Sequence, residues 1–537
     1  MRDRNLFGEI VPLKEMFVKN RTNTNKEKAK KLASTHIVPN HNIEHVIETG
    51  AFLKSMLAIH SNNVPIENIL YYIGTKLTGR DIEEYAIYKS DIEFEIPNIV
   101  AREHDLLGSV YQYLMTKSVR LGKGSFYTNR NMIEDIISKL DIKKNNTILD
   151  PACGSGNLLL NSKIYNPQQI FGIDNDPIAI MCCKFNYYLK FGNNAPEPQL
   201  YCMDFVDFIL SNKAHFDYVI CNPPFGATLN ITSLYNSTVK TEDSLTYFVE
   251  HASVLADTSL FILPESVLNV KKHTALRKWI LDNLNLEDIT SYGANFSGTM
   301  FPIVTLKLST RSSSPNFIFD GKIISKEDIK NIPFYYLRPI DKQTAIVIKK
   351  VFDKQSQSLK GSIFALGVVT GNNKTKLYDN QIPGSEPIIT GKEITPFEIS
   401  TPHKFIIYDR ASLQQVAPDS LYRAEEKLVY KTVSRNMIFA IDNNRRLTLN
   451  SANFIIPKGL SISTKCLMAL LNSRLYNLLN KVIYGENKIS RTNLENLPLP
   501  NIPVEQQQQI ENYIDKKDYN AIDGVINSIF GVSESIL

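Results

Sequence analysis

The sequence predicts an α/β fold: a mostly parallel sheet with helices on both faces, preceded by a helical N-terminal domain and followed by a mixed α+β C-terminal domain. Three observations predict it. Apolar residues recur at helical spacing early in the chain, in Ile43, Val46, Ile47, Phe52, Leu53, Met56 and Leu57. From Gly122 to Leu308 short β-rich runs alternate with helical stretches, the pattern of a parallel sheet. After the polar stretch Ser309 to Pro315, short strands are interspersed with Gly, Pro, Asn, Lys and Arg. The expected domains are 1–118, 119–320 and 321–537, because 537 residues exceed one ordinary core.

Composition bounds the function. With 43% hydrophobic and 21% charged residues, the chain reads as globular. A net charge of +5 permits a nucleic-acid partner without requiring one. The six cysteines, Cys153, Cys182, Cys183, Cys202, Cys221 and Cys466, show no paired C-x-x-C spacing. Buried free thiols in a reducing cytosol are expected, with no disulfide framework and no metal site. Met1 to Arg4 runs straight into mixed polar sequence, unlike a secretory leader. No apolar run approaches the roughly 20 residues of a membrane span. A cytoplasmic protein without a membrane partner is expected.

The chemistry-bearing residues follow the strands in order. Thr147-Ile148-Leu149 leads into Asp150-Pro151-Ala152-Cys153-Gly154-Ser155-Gly156. Gly154 and Gly156 allow a tight strand-to-helix turn and let a ligand lie against the backbone. Alone, such a turn is an ordinary βα connection. The next strand ends in Gly172-Ile173-Asp174-Asn175-Asp176, where a carboxylate can take both hydroxyls of a ribose. The third ends in Met203-Asp204-Phe205. Asp204 can accept from an adenine amino group with Phe205 close to the ring; in isolation it reads as a helix N-cap. Three acidic strand tips beside one glycine turn favour a nucleoside. The phosphate-binding pattern Gly-x-x-x-x-Gly-Lys-Ser/Thr is absent, which disfavours a triphosphate.

Two further elements complete the set. Gly124 to Arg130 precedes a helix at 131–140 and reads either as its capping turn, through Asn129, or as a cover for one end of the ligand. The apolar strand Phe216 to Cys221 runs into Asn222-Pro223-Pro224-Phe225. Alone this is a good turn sequence. At the end of a parallel strand it presents one amide and one carbonyl to a planar amino group, and its prolines fix φ near roughly −65°.

Together these residues resemble the gamma-class N6-adenine DNA methyltransferases of restriction–modification systems, in the family's motif order. The later strand and turn Phe261 to Leu268 resembles another family element. One departure is Asn129, where the family's turn has proline. The resemblance implies a Rossmann-like domain that uses S-adenosyl-L-methionine. The cofactor-binding residues it implies are Phe126, Tyr127, Thr128, Asp150, Ala152, Gly154, Gly156, Asp174, Asn175, Asp204, Phe205 and Asn222. It implies that Asn222, Pro223, Pro224 and Phe225 form the catalytic corner, with Phe225 stacking on a flipped-out adenine. Phe296 occupies the family's second aromatic position and reads equally as a core phenylalanine.

The C-terminal part resembles target-recognition regions in Gly367 to Lys374, Ile389 to Ile394, Leu471-Asn472-Ser473 and Leu494 to Pro500. The N-terminal part resembles type I modification subunits. Double-stranded DNA is the implied partner, at the nucleoid of a prokaryotic cytoplasm, with room for a separate restriction endonuclease or specificity partner. Lys427, Lys431, Arg435, Arg445 and Arg446 are expected either to meet phosphates or to form a solvated face. The alternative substrates are an RNA adenine and a protein glutamine. Other rivals are a catalytically inert DNA-binding subunit and a fused nuclease–methyltransferase. No convincing Pro-Asp followed by Glu-x-Lys stands in the N-terminal region to support the last.

Overall fold

The computed structural model describes residues 43–101, 105–115, 130–211, 214–225, 237–239, 243–293, 302–484 and 488–533. Phe126, Tyr127, Thr128 and Phe296 lie outside the described residues. The chain forms two compact units, one of residues 1–265 and 283–313, the other of 266–282 and 314–537.

The first unit is built on strands β1 (Ile148–Asp150), β2 (Ile170–Asp174), β3 (Gln199–Cys202), β4 (Phe216–Cys221), β5 (Ala256–Pro264), β6 (Asn285–Gly293) and β7 (Ile303–Ser309). Their order in the sheet is β3-β2-β1-β4-β5-β7-β6. The first five are parallel, and β7 runs antiparallel to both β5 and β6. β1 is buried throughout, and most of β5 is too. Such near-continuous apolar runs are what a sheet covered on both faces requires. The expected α/β class, with its mostly parallel sheet, holds.

Strand order reverses between β1 and β4. In open α/β sheets such a switch point, at the carboxyl ends of the strands, is where ligands bind. The tips of β1, β2, β3 and β4, at Asp150, Asp174, Cys202 and Cys221, share that edge.

Helix Pro177–Phe191 returns from β2, with Asp176 as its N-cap and proline in its first turn. Helices Ile43–Ser61, Ile66–Thr78 and Leu106–Leu114 share one hydrophobic core with it and with the sheet. Five cysteines are buried as expected, but Cys202 is exposed. It ends the edge strand β3, whose last two residues face outward.

The second unit contains two four-stranded sheets. One joins Ile363–Ala365, Ala452–Ile456, Lys427–Lys431 and Phe439–Asp442. The other joins Leu377–Tyr378, Lys404–Ile406, Glu386–Ile389 and Leu447–Thr448. The two Thr-Gly loops singled out from sequence dock on one segment. Val368 N donates to Thr448 O at 2.7 Å and Leu449 N to Ile389 O at 2.8 Å. Gly391 N donates to Ser451 Oγ at 3.0 Å. Asn472 bonds both backbone groups of Phe439 at 2.9 Å, and Ser473 caps helix Arg474–Ile483.

Lys427 corrects one expectation. Its ammonium is 0% exposed and pairs with the equally buried Asp442 at 2.6 Å, so it does not face a phosphate. Strand pairing sets Lys427 opposite Asp442, and Lys427 also donates to Tyr422 O at 2.8 Å. Arg446 joins them, its Nε donating to Asp442 Oδ1 at 2.7 Å. Burial alone would raise the Asp442 carboxyl, but the two cations outweigh it and hold it below the usual range. Arg445 is exposed and paired with Glu425 at 2.6 Å; Arg435 is exposed. Among the described residues, no helix is long and apolar enough to cross a membrane.

Candidate active site at the carboxyl edge of the sheet

The glycine turn after β1 is held to the tip of β2. Cys153 N donates to Ile173 O at 2.9 Å. Gly154 N donates to Asp174 Oδ2 and Asp176 N to Asp174 Oδ1, each at 2.9 Å. Asp174 O in turn accepts from Met203 N at 3.0 Å, which ties the β3 tip to the same place. Gly156 has φ +85°, and a Cβ there would lie 2.5 Å from Cys183 Sγ, so both backbone and packing demand glycine.

Asp150 is 1% exposed, and its Oδ1 accepts from Ala152 N at 3.0 Å. Burial pushes its carboxyl up to about 8; the Ala152 N–H opposes this and the nearby Asp174 charge reinforces it. Asn175 is exposed at the tip beside the half-buried Asp174.

Asp204 is exposed just beyond β3, and its Oδ1 accepts from Val206 N at 2.8 Å. That is the helix-capping arrangement, made by one oxygen of the carboxylate. Phe205 is buried, and its ring stacks on Phe248 with centroids 4.8 Å apart.

The Asn-Pro-Pro-Phe corner leaves β4 directly after Cys221. Pro223 is buried, while Asn222, Pro224 and Phe225 are half-buried. Helix Ser244–Ser253 backs the corner. Its first residue, Ser244, donates its hydroxyl to Pro224 O at 2.7 Å, and Asp243 caps the helix by accepting from Leu245 N at 3.2 Å. Glu250, two turns on and 4% exposed, accepts from Thr238 N at 2.6 Å and Val239 N at 3.2 Å, and from the Ser237 hydroxyl.

The structure thus brings Asp150, Ala152, Gly154, Gly156, Asp174, Asn175, Asp204, Phe205 and Asn222 to Phe225 to one edge. Sequence reasoning missed Ser244, Phe248 and Glu250. The signal was Asp243 as a cap at the head of an apolar helix shortly after the corner.

A parallel sheet with an antiparallel β7, a glycine turn after β1 and an acidic tip on β2 place the first unit in the methyltransferase class of α/β folds. Residues 102–316 match the N-6 DNA Methylase family, and residues 386–499 match the TaqI-like C-terminal specificity domain. The chain therefore joins an N-6 DNA methylase domain to a TaqI-like specificity domain, and it is homologous to methyltransferases of type I and type II restriction–modification systems.

Among its relatives is the type II methyltransferase M.VspI of Vibrio sp. strain 343, 24% identical over 332 residues that cover 57% of this chain and 80% of M.VspI. The MjaIX methylase subunit of a Methanocaldococcus jannaschii type I restriction enzyme is 34% identical over 171 residues, 29% of this chain and 28% of that subunit. The type IIL restriction-modification enzyme MmeI, solved in complex with DNA, shares the fold with a TM-score of 0.55 at 14% identity, over 87% of each chain.

Proposed function

We propose that the protein is a site-specific DNA adenine N6-methyltransferase that modifies a flipped-out adenine in double-stranded DNA, as the protective enzyme of a restriction–modification system. One observation carries this reading. Asn222 to Phe225 leaves β4, the strand beside β1 at the switch point, so the corner stands beside the strand that carries the glycine turn, one strand further from the Asp174 tip.

The donor set suits S-adenosyl-L-methionine. Asp174 offers a carboxylate to ribose hydroxyls, the backbone of Ala152 to Gly156 offers close approach, and Asp204 with Asn175 borders the adenine end. When bound, that cofactor supplies an electrophilic sulfonium methyl group.

The rest belongs to the chain. An adenine amino nitrogen is a poor nucleophile because its lone pair is delocalised into the ring. The Asn222 side-chain oxygen and the Pro223 main-chain oxygen accept hydrogen bonds from its two N–H groups and draw it toward tetrahedral geometry. No strong base is needed beforehand; the proton leaves afterward. Acceleration comes from positioning and preorganised dipoles. Extruding the base costs a few kcal/mol, and stacking on Phe225 returns about 1–3 kcal/mol.

The specificity-domain match at 386–499 favours DNA over RNA or a protein glutamine. Residues 321–537 then read the target, and the protein works at the nucleoid of a prokaryotic cytoplasm. Tritium transfer from S-adenosylmethionine to unmethylated plasmid DNA tests the proposal. Label in plasmid adenine is expected; label only in total RNA or in protein would overturn it.

A further inference from the structure

We infer that helix Leu106–Leu114 positions the Asp174 carboxylate, with its N-cap Asp105 holding the glycine turn and Tyr111 the β2 tip. The inference rests on the cofactor role proposed for Asp174.

Two backbone N–H groups that orient the Asp174 oxygens belong to two segments, the glycine turn at Gly154 and the β2 tip at Asp176. Each segment is gripped by this helix. On the first, Ser155 Oγ donates to Asp105 Oδ2 at 2.5 Å. Asn186 Nδ2 bridges Asp105 Oδ1 at 2.8 Å and Ser155 O at 2.9 Å, so Ser155 is held by both side chain and carbonyl. On the second, the Tyr111 hydroxyl donates to Asp176 Oδ2 at 2.5 Å while Asp176 Oδ1 caps helix Pro177–Phe191 through Ile178 N at 3.1 Å. Tyr111 therefore fixes the residue whose own N–H reaches Asp174.

The fit is close. Asp105 is 2% exposed and its Oδ1 also accepts from Gly108 N at 2.8 Å, capping the helix. A Cβ on Gly108 would lie 2.3 Å from Asp105 Oδ2 and 2.5 Å from Ser155 Oγ, so any side chain there would break the grip. Asp105, Gly108 and Tyr111, three residues apart, present one helix face to both segments. A carboxylate that must meet two hydroxyls at once loses affinity when it shifts by a fraction of an ångström.

The test compares two ligands on the full chain by calorimetry: S-adenosylhomocysteine and its analogue lacking both ribose hydroxyls. Tyr111→Phe keeps the packed ring and removes only the donor. It should bind S-adenosylhomocysteine about tenfold more weakly. The analogue should be affected less than about twofold by the same change, because it cannot engage Asp174. Methyl transfer at saturating cofactor should stay within about twofold of wild type, since the Asn222 corner is untouched.

Asp105→Asn should show the same ligand dependence and carries the test if Tyr111→Phe folds poorly. Unchanged affinity for S-adenosylhomocysteine, or an equal loss for both ligands, would overturn the inference. Failure of the wild-type chain to bind S-adenosylhomocysteine would overturn the proposed function itself, and the inference with it.

Discussion

The Ser244 hydroxyl donates to the Pro224 carbonyl at 2.7 Å, so the first residue of the helix behind the corner fixes the peptide that carries Phe225. Ser244 is 1% exposed, and removing its hydroxyl takes that donor from the Pro224 carbonyl. Ser244→Ala should lower kcat about tenfold with cofactor affinity unchanged, because orientation of the corner is lost while the glycine turn stays intact. Ser244→Thr keeps the hydroxyl and should recover most of the rate. Steady-state methylation kinetics read both; equal kcat in all three proteins would remove Ser244 from the account.

Asp174→Ala should weaken cofactor binding by at least about tenfold, since it removes both acceptors at the β2 tip. Calorimetry with S-adenosylmethionine checks this. Unchanged affinity would show that the tip does not hold the ligand.

Asp150 gives stability a distinctive pH dependence. Burial pushes its folded-state carboxyl up to about 8, against about 3.9 in an unfolded chain. Between those values the folded protein holds a proton that the unfolded chain has lost. Its contribution to stability therefore falls as pH rises from about 4 through 8. Asp150→Asn retains the Oδ1 acceptor for Ala152 N without the charge. Denaturant midpoints of the cofactor-free protein between pH 5 and 9 should fall less steeply for Asp150→Asn than for wild type. Parallel profiles would refute the assignment.

In the second unit, the buried Lys427–Asp442–Arg446 cluster makes Asp442 a stability determinant. Asp442→Ala leaves an ammonium buried with no counter-charge and should cost about 3–5 kcal/mol. Chemical denaturation followed by circular dichroism measures it. Cofactor affinity, set in the first unit, should not change.

What was legible in the sequence is what local pattern encodes. β1 to β4 read as short apolar runs ending in turn chemistry, and their tips carried the acidic and Asn-Pro-Pro signals in strand order. Asp204 showed the limit of such reading, because capping Val206 N and facing a ligand use the same carboxylate in the same place.

The remainder depended on contacts distant in sequence. Asp105-x-x-Gly108-x-x-Tyr111 shows a three-residue period but carries no local sign of the Ser155 and Asp176 loops it grips. Lys427 looked like one more basic residue in a charged stretch, and only its pairing across strands to Asp442 puts it inside. Cys202 looked like its buried neighbours, and only β3's place at the sheet edge exposes it.

Long-read sequencing of DNA from a methylation-free host expressing the chain, beside a host expressing Asn222→Ala, tests the central claim most directly. The account predicts N6-methyladenine at one recurring recognition sequence with the wild-type chain and none with the variant. An unmodified genome from the wild-type host, or the same marks from the Asn222→Ala host, would contradict it.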